Sequence, residues 1–139
     1  MSDTVFDKII RKEIPADILY EDDQVIVFLD VHPSNPGHTL FVPKEDCENL
    51  MSTSDTSLAH TLSVVKKIAP AILTAVSATG FNLNTNNGST AGQVVMHTHF
   101  HLIPRFENDG LKFWGHREVT PEELRTLCHK IIDEIKQNP

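Results

Sequence analysis

Cysteine, positive charge and long apolar runs are all scarce in this sequence of 139 residues. Its two cysteines, Cys47 and Cys128, lie far apart, which excludes a disulfide framework and paired cysteine ligands for a metal. We therefore expect buried or inert thiols and a reducing, cytoplasmic setting. The longest apolar stretch, residues 68–78, is interrupted by Pro70 and is too short to cross a bilayer. The N-terminal residues lack the pattern of a secretory signal.

The charge balance narrows the class of partner. Twelve Lys and Arg residues against nineteen Asp and Glu residues give a net charge of −7. Polymeric nucleic acid is held mainly by basic side chains on its phosphates, so it is not an expected partner. A small nucleotide is still allowed, because one local site does not need a positive global charge. The length and the 40% hydrophobic content fit one globular domain, residues 1–139.

Hydrophobic periodicity predicts an α+β chain. Apolar residues at helical spacing predict a short N-terminal helix capped by Asp3, a long helix from Asp55, and a C-terminal helix that starts at a capping box. That box is Thr120-Pro121-Glu122-Glu123. Pro70 lies inside the long helix and is expected to kink or break it. The remaining periodic segments are predicted antiparallel strands: residues 18–21, 25–30, 38–42, 81–86 and 97–101.

The most informative feature is the segment His97-Thr98-His99-Phe100-His101. In an extended strand successive side chains point to opposite faces, so the three histidines share one face of the strand. Three imidazoles on one face of a core strand are costly in a low dielectric unless partners bond them. A bound partner is therefore expected on that face.

The residues alone leave three interpretations of this segment open. One is a purely structural strand. The second is a zinc site, but the first and third Cα atoms of such a strand lie roughly 13 Å apart, too far for both rings to reach one ion comfortably. The third is nucleophilic catalysis at phosphorus. In it the middle ring attacks, its tautomer fixed by a hydrogen bond at the other nitrogen, while the outer rings neutralise and protonate phosphoryl oxygens or the leaving group.

The run from His97 to Ile103 resembles the signature of the histidine triad (HIT) superfamily, in which three histidines alternate with mostly apolar residues. Further segments resemble the Hint branch of that superfamily: residues 4–16, 20–23, 28–30, 37–44 and 91–93. The resemblance covers residues 4–105 and implies the family's fold, an antiparallel meander with helices. It also implies a homodimer in which the strands form one continuous sheet. The longer tail, residues 106–139, resembles that of bacterial members.

The resemblance further implies a nucleotide hydrolase that needs no cofactor. Members attack the α-phosphate of purine nucleoside phosphoramidates or dinucleoside polyphosphates with the middle histidine, and water resolves the nucleotidyl-histidine to release AMP or GMP. His99 matches that nucleophile. His97 and His101 match the orienting and phosphate-contacting histidines. His38 matches a fourth histidine that supports the nucleophile's environment.

The resemblance assigns a nucleotide pocket as well. Asp30 matches the carboxylate that accepts both ribose hydroxyls. Arg105, the histidines and the amides of the loop at residues 87–92 are expected to recruit the anion. The other matching positions comprise a base pocket and residues close to the phosphate: Phe6, Ile9, Phe28 and Val31 for the base, Asn86 and Gln93 beside the phosphate, and Val94 near the leaving group.

Three departures from the family pattern bear on function. Val94 replaces a serine or threonine hydroxyl, which affects leaving-group preference and rate and leaves a nucleotide-binding regulator with little turnover as the alternative function. Bacterial relatives with structural zinc use N-terminal cysteines and a histidine after Pro-Lys. This chain has Thr4, Asp7 and Asp46 at or near those places, so we expect no metal. Trp114, in the longer tail, is expected either near a dimer partner's site or in the packing of the tail.

Overall fold

The computed structural model describes residues 3–138 as an α+β fold with a five-stranded sheet and three α-helices. The chain forms two compact units. The first ends at Asp109 and holds the sheet and two helices, and the second begins at Gly110 and holds the third helix.

The sheet is antiparallel throughout, which confirms the predicted fold class. Its spatial order is β1-β2-β3-β5-β4, so the last two strands along the chain exchange places at one edge. In the register, His101 lies opposite both Leu40 and Asn84. The strands are β1 (Ile18–Glu21), β2 (Val25–Leu29), β3 (Thr39–Pro43), β4 (Gly80–Asn84) and β5 (Phe100–Arg105).

Strand β2 is buried on both faces and divides the core into two clusters. Val25 and Val27 point to one face, where they pack with side chains of a long helix, and Ile26 and Phe28 point to the other. This continuous apolar strand has a packed layer on each side. The second cluster joins Ile26 and Phe28 to the short N-terminal helix and to β3. That second face carries the cavity described below.

The long helix α2 (Asp55–Val76) runs through Pro70 as one helix of 22 residues, so of the predicted kink or break, the break does not occur. Proline removes one helical hydrogen bond, at a cost of about 3 kcal/mol. Val65, Ala69 and Ile72 are buried on either side of the proline, and each apolar side chain of this size contributes about 1.5–3 kcal/mol when buried, with alanine contributing less. Packing on the sheet therefore outweighs the lost bond. By length and composition α2 would be able to cross a membrane, but here its buried side belongs to the core.

Helix α1 (Val5–Ile10) is capped by Thr4 and not by Asp3 as predicted. The Thr4 hydroxyl accepts from the Asp7 amide, and the Asp7 carboxylate accepts from the Thr4 amide in return. This reciprocal pair satisfies two amides that a helix of six residues would otherwise leave exposed. Asp3 instead pairs with Arg11. The cap fixes α1 so that Phe6 and Ile9 are buried against the sheet.

The histidine segment is only partly a strand, contrary to the prediction. Strand β5 begins at Phe100, so His101 lies within it, while His97 and His99 precede it. The alternation still holds for the opposite side, because Thr98, Phe100 and Leu102 are all buried. The physical reason for the late start is that the Thr98 amide donates to the Cys47 carbonyl, outside the sheet.

The second unit contains α3 (Pro121–Gln137), which starts at the predicted capping box with Thr120 as N-cap. Its apolar residues are exposed, and Ile135 is 60% exposed. Trp114 is 90% exposed, so this structure does not show it packed in the tail. Of the two thiols, Cys47 is buried, as expected, and Cys128 is exposed.

Candidate active site

A cavity of about 530 Å³ lies on the α1 side of the sheet. This volume is in the usual range for a site that binds a small molecule. Its walls are mostly apolar, and its ionisable lining residues are Asp30, His32, His99 and His101. Among the described residues that line it, none is Lys or Arg. The apolar and small lining residues come from α1, the segment after it, β2, β3 and the loop before β5: Val5, Phe6, Ile9, Ile14, Pro15, Ala16, Phe28, Leu29, Val31, Leu40, Gly92, Val94 and Val95.

The tautomer of His99 is determined by the main chain. Its Nδ1 atom lies 2.7 Å from the carbonyl oxygen of His97, and a carbonyl can only accept, so Nδ1 carries the proton. The lone pair of the neutral ring is therefore on Nε2. The ring lines the cavity and meets the Phe6 ring edge to face, with centroids 4.9 Å apart. His99 is thus a buried, oriented and neutral ring, and its unprotonated Nε2 atom is a base.

The tautomers of His38 and His101 are linked in the same way. The Ser34 amide donates to Nδ1 of His38 at 2.9 Å, which leaves the proton of the neutral His38 ring on Nε2. That Nε2 lies 2.9 Å from Nδ1 of His101, which must accept. The proton of the neutral His101 ring is then on its own Nε2. His101 therefore presents a hydrogen-bond donor to the site, whereas His99 presents an acceptor.

Burial keeps these rings neutral near pH 7. It lowers the pKa of His99, although the hydrogen bond to the His97 carbonyl opposes the shift. Burial, followed by the proximity of His99 and His38, lowers the pKa of His101 to about 4. Burial also lowers the pKa of His38, although the Asp30 carboxylate opposes the shift. Neutral rings keep both roles available, since protonation of His99 would remove its lone pair.

His97 does not line the cavity, which corrects the prediction that its ring contacts the phosphate. Of its two predicted roles, the structure is consistent with the orienting one. Its ring is fully buried, and Nε2 donates to the Pro43 carbonyl at 2.7 Å. Its Nδ1 has no hydrogen-bond partner among the described residues, and the nearest carboxylate oxygen, Oδ1 of Asp7, lies 3.5 Å away. The segment has not yet entered the sheet at His97, so the ring lies in the core, and the His97 carbonyl is the group that contacts His99.

Asp30 lines the cavity directly after β2. Its Oδ1 accepts from the His32 amide at 2.9 Å, and its Oδ2 lies 3.5 Å from Nε2 of His38. One carboxylate oxygen is thus oriented by the backbone, and the group has acceptor capacity left for hydroxyls of a ligand.

Asp30, His38 and His101 also form the one group of possible metal ligands found among the described residues, with ligand atoms within 4.8 Å of one another. The hydrogen bonds argue against an ion there. A metal on Nε2 of His38 would require the proton to move to Nδ1, where it would face the Ser34 amide. The donor set therefore fits two neutral imidazoles better than a metal. Thr4 and Asp7, at the zinc positions of some relatives, are engaged in the α1 cap.

The structure brings most of the predicted nucleotide-binding residues to this cavity. Phe6, Ile9 and Phe28 form its buried wall. Val31 and Val94 also line it but are 77% and 88% exposed, which places them at its mouth. The remaining predicted residues that line it are Asp30 and Asn86.

Gln93 is not among the residues that line the cavity, which corrects its predicted place beside the phosphate. The side chain is buried, and its Nε2 donates to the carbonyls of Glu48 at 2.6 Å and Val95 at 3.1 Å. Its Oε1 accepts from the Gly88 amide at 2.9 Å. Gln93 therefore holds the loop before the histidines in place through these three backbone contacts.

Arg105 is also placed differently from the prediction that it recruits the anion. Its Nε and Nη2 donate to the two carboxylate oxygens of Asp109 at 2.8 and 3.0 Å, and Nη1 donates to Asn82. The guanidinium is thus bound in a fork-shaped ion pair at the end of β5 and does not line the cavity.

Sequence reasoning missed the backbone groups that set the tautomers, namely the His97 carbonyl, the Pro43 carbonyl and the Ser34 amide. Every residue has such groups, so no residue type marks them. It also missed Asn35, whose Nδ2 bonds the Pro104 carbonyl and Asp109. The Pro-Ser-Asn-Pro-Gly composition of that loop is a signal for a turn, but not for a contact with a strand so distant in sequence.

Comparison with known proteins identifies the family of this chain. The adenylylsulfatase HINT3 of Arabidopsis thaliana is 43% identical over 136 residues, which cover 98% of this chain and 66% of that protein. The adenosine 5'-monophosphoramidase hnt1 of Schizosaccharomyces pombe is 38% identical, covering 95% of this chain and 98% of the relative. The crystal structure of SMU.412c from Streptococcus mutans UA159 superposes with a TM-score of 0.90 at 38% identity, covering 97% and 87% of the two chains. The HIT domain matches residues 11–108, and the chain belongs to the histidine triad family.

Proposed function

We propose that this protein hydrolyses the α-phosphate linkage of purine nucleoside phosphoramidates or dinucleoside polyphosphates, through a covalent nucleotidyl-histidine on His99, and releases AMP or GMP. The observation that carries the proposal is the fixed tautomer of His99. A ring whose Nδ1 proton is held by a carbonyl 2.7 Å away has its lone pair on Nε2, and this ring lines a cavity of nucleotide size.

The chemistry takes two displacements at phosphorus. In the first, Nε2 of His99 forms a bond to the α-phosphorus while the bond to the leaving nitrogen or oxygen breaks, and the leaving group departs with that electron pair and takes up a proton. In the second, a water oxygen attacks the same phosphorus and the N–P bond breaks. The lone pair returns to Nε2, water loses a proton, and the nucleoside monophosphate is released.

His101 and the main chain support these steps without a metal. The His101 Nε2–H is a donor for a phosphoryl oxygen, on which negative charge builds up in each transition state. The His97 carbonyl stabilises the positive charge that His99 acquires when its Nε2 bonds phosphorus. Neither contact requires reorganisation during the reaction.

The rest of the cavity suits a nucleoside. The apolar wall of Phe6, Ile9 and Phe28 can cover the faces of a planar base. Asp30, at the end of β2, can accept hydrogen bonds from two adjacent ribose hydroxyls. The names of the two relatives refer to an adenylyl compound and to an adenosine 5'-monophosphate compound, which supports an adenine nucleotide as substrate.

We also propose a cytoplasmic homodimer. Strand β4 is an edge strand of the sheet, and its Phe81 and Leu83 are 40% and 38% exposed. An edge with apolar side chains can pair with the same edge of a second copy. Sedimentation of the wild type and of Phe81→Lys tests this point, because the charged variant should sediment as a monomer.

The direct test is turnover of an adenosine phosphoramidate by the wild type, by His99→Asn and by His129→Asn. His129 is an exposed histidine of α3 and is the matched control. We expect the wild type and His129→Asn to turn over equally and His99→Asn to fall to the buffer rate. Intact-mass analysis after an alkaline quench should show an added nucleotidyl mass on the wild type and on His129→Asn, and none on His99→Asn. If the wild type binds AMP but never exceeds the buffer rate, the chain is a nucleotide-binding regulator instead.

A further inference from the structure

The loop between β2 and β3, residues 32–37, holds the His38 ring by a backbone amide. We propose that Asn35 is a positioning residue. It anchors this loop to β5, and the anchored Ser34 amide then keeps the proton of His38 on Nε2 and that of His101 facing the site. The assignment of tautomers stands on geometry alone, whereas its effect on catalysis rests on the function proposed above.

Asn35 is the link between the loop and the end of β5. Its Nδ2 donates to the Pro104 carbonyl and to Oδ2 of Asp109, both at 2.9 Å. Asp109 cannot drift away, since Arg105 holds it through two bonds and the Phe106 amide donates to it at 3.1 Å. A side chain on the loop is thus tied to a strand that begins 65 residues later in the sequence and that carries His101.

A second contact prevents the loop from swinging about Asn35. Gly37 has a φ of +87°, and a Cβ added there would lie 3.1 Å from both Pro104 Cγ and Val76 Cγ1. The loop backbone therefore packs directly on β5 and α2. The Asn35 carbonyl also accepts from the His38 amide at 3.1 Å, which closes the turn. These contacts put the Ser34 amide 2.9 Å from Nδ1 of His38.

The amide matters because it cannot reverse its direction. A backbone N–H only donates, so Nδ1 of His38 can gain a proton only if the hydrogen bond to Ser34 is given up. If His101 took a proton on Nδ1, that proton would meet the Nε2–H of His38 at a separation of 2.9 Å between nitrogens. The anchored loop therefore opposes charging of the His38–His101 pair and keeps His101 as a neutral donor.

The other groups around His38 do not replace this control. The nearby ionisable groups are the Asp30 carboxylate, 3.5 Å from Nε2 of His38, and the ring of His101, which in turn meets the His99 ring. Asp30 would favour a charged His38, so it acts against the Ser34 amide. Loss of the anchor is then expected to let His38 rotate or change tautomer toward Asp30.

The first experiment reads the tautomer in the wild type by ¹⁵N NMR of labelled histidine. We expect an unprotonated, hydrogen-bonded Nδ1 for His38, an unprotonated Nδ1 for His101, and slow exchange of the Ser34 amide. A protonated Nδ1 on His38 would overturn the proposal. This measurement needs no turnover and no variant, so it tests the tautomers on which the inference depends even if the proposed reaction fails or a variant does not fold.

The second experiment compares Asn35→Ala with Asn82→Ala. Both remove an asparagine from the hydrogen-bond network of Arg105 and Asp109, but only Asn35 touches the loop. For Asn35→Ala we expect a mixed His38 tautomer, kcat lower by about tenfold, KM within about twofold, and an acid limb of kcat moved up by about one pH unit. Asn82→Ala should match the wild type in the His38 tautomer, in kcat, in KM and in the acid limb of kcat. Equal behaviour of the two variants, or a lower kcat for Asn35→Ala with an unchanged tautomer, would refute the positioning role.

Discussion

The carbonyl oxygen of His97 and the Nδ1 atom of His99 are 2.7 Å apart, so one histidine orients the other through its main chain and not through its ring. The ring of His97 is meanwhile fully buried and bonded to the Pro43 carbonyl. Two histidines of one motif therefore have different surroundings: the His97 ring is buried in the core, and the His99 ring lines the cavity.

His97→Ala should damage stability more than chemistry. The change leaves a buried cavity and an unpaired Pro43 carbonyl, which should lower the free energy of unfolding by about 2–4 kcal/mol. The His97 carbonyl stays in place, so kcat per folded molecule should fall by less than about tenfold. Urea unfolding and turnover of the same sample measure both quantities, with the exposed His116→Ala as control. A variant of unchanged stability would show that the buried ring contributes nothing.

Asp30→Ala should weaken nucleotide binding through the ribose. Hydrogen bonds to a charged group contribute about 1.5–3 kcal/mol, so the Kd of AMP should rise by roughly 10- to 150-fold. Calorimetry with AMP and 2'-deoxy-AMP separates this effect from general damage to the site. The wild type should prefer AMP, and the variant should bind the two ligands equally. Equal preference already in the wild type would mean that Asp30 does not read the ribose.

Val94→Thr should restore a hydroxyl at the mouth of the cavity with little effect on stability. Val94 is 88% exposed, and exposed substitutions usually stay within about 0.5 kcal/mol. A new neutral hydrogen bond of about 0.5–1.5 kcal/mol would raise turnover by about 2- to 10-fold for leaving groups that carry an acceptor. Kinetics with a matched pair of leaving groups, one with and one without an acceptor, measure the gain. A uniform change for both would point to an indirect effect.

The buried histidines should make the folded chain sensitive to acid. The pKa of His101 is about 4 when folded and about 6.5 when unfolded, so between these values the unfolded chain binds more protons. The stability from this group is complete above about pH 6.5 and is lost progressively as the pH falls toward 4. Urea unfolding at pH 7.5, 6 and 5 should show the decline in the wild type and a smaller decline in His101→Asn. Parallel curves would locate the acid sensitivity elsewhere.

Pro70→Ala should stabilise the protein. Pro70 is exposed within an unbroken helix, and alanine would restore the amide that proline lacks. Part of the intrinsic difference of about 3 kcal/mol should appear as a higher Tm. Ala71→Pro, one residue later, provides the opposite control and should lower the Tm. No gain for Pro70→Ala would mean that the helix had already adapted fully to proline.

Much of this fold could be predicted because its elements are marked by local patterns. β1 has the predicted bounds and β2 ends one residue early, while α3 begins at the predicted capping box. The break allowed at Pro70 did not occur, because periodicity records which residues are apolar but not how strongly they pack against a distant strand. The cap of α1 failed by one residue, since Asp3 and Thr4 are both good N-caps and only the reciprocal contact to Asp7 distinguishes them.

For the candidate site, the sequence predicted most of the side chains that line the cavity, but not the hydrogen bonds that orient them. Residues at Asp30 and His99 carry chemistry in their side chains, so a motif can mark them. The Ser34 amide and the His97 carbonyl are main-chain groups, which no residue type marks. Gln93 has a suitable polar side chain, but that side chain bonds backbone groups. Which donors remain free is a property of the assembled structure.

One wall of the cavity is made by α1, a helix of only six residues. A peptide that short does not stay helical by itself in water, so this wall exists only while Phe6 and Ile9 are docked on the sheet. Occupancy of the cavity and docking of the N-terminal segment are thermodynamically linked for that reason. A bound nucleotide should slow deuterium uptake by the amides of α1 more than by those of α3, and truncation before Val5 should weaken ligand affinity without removing any residue that lines the cavity.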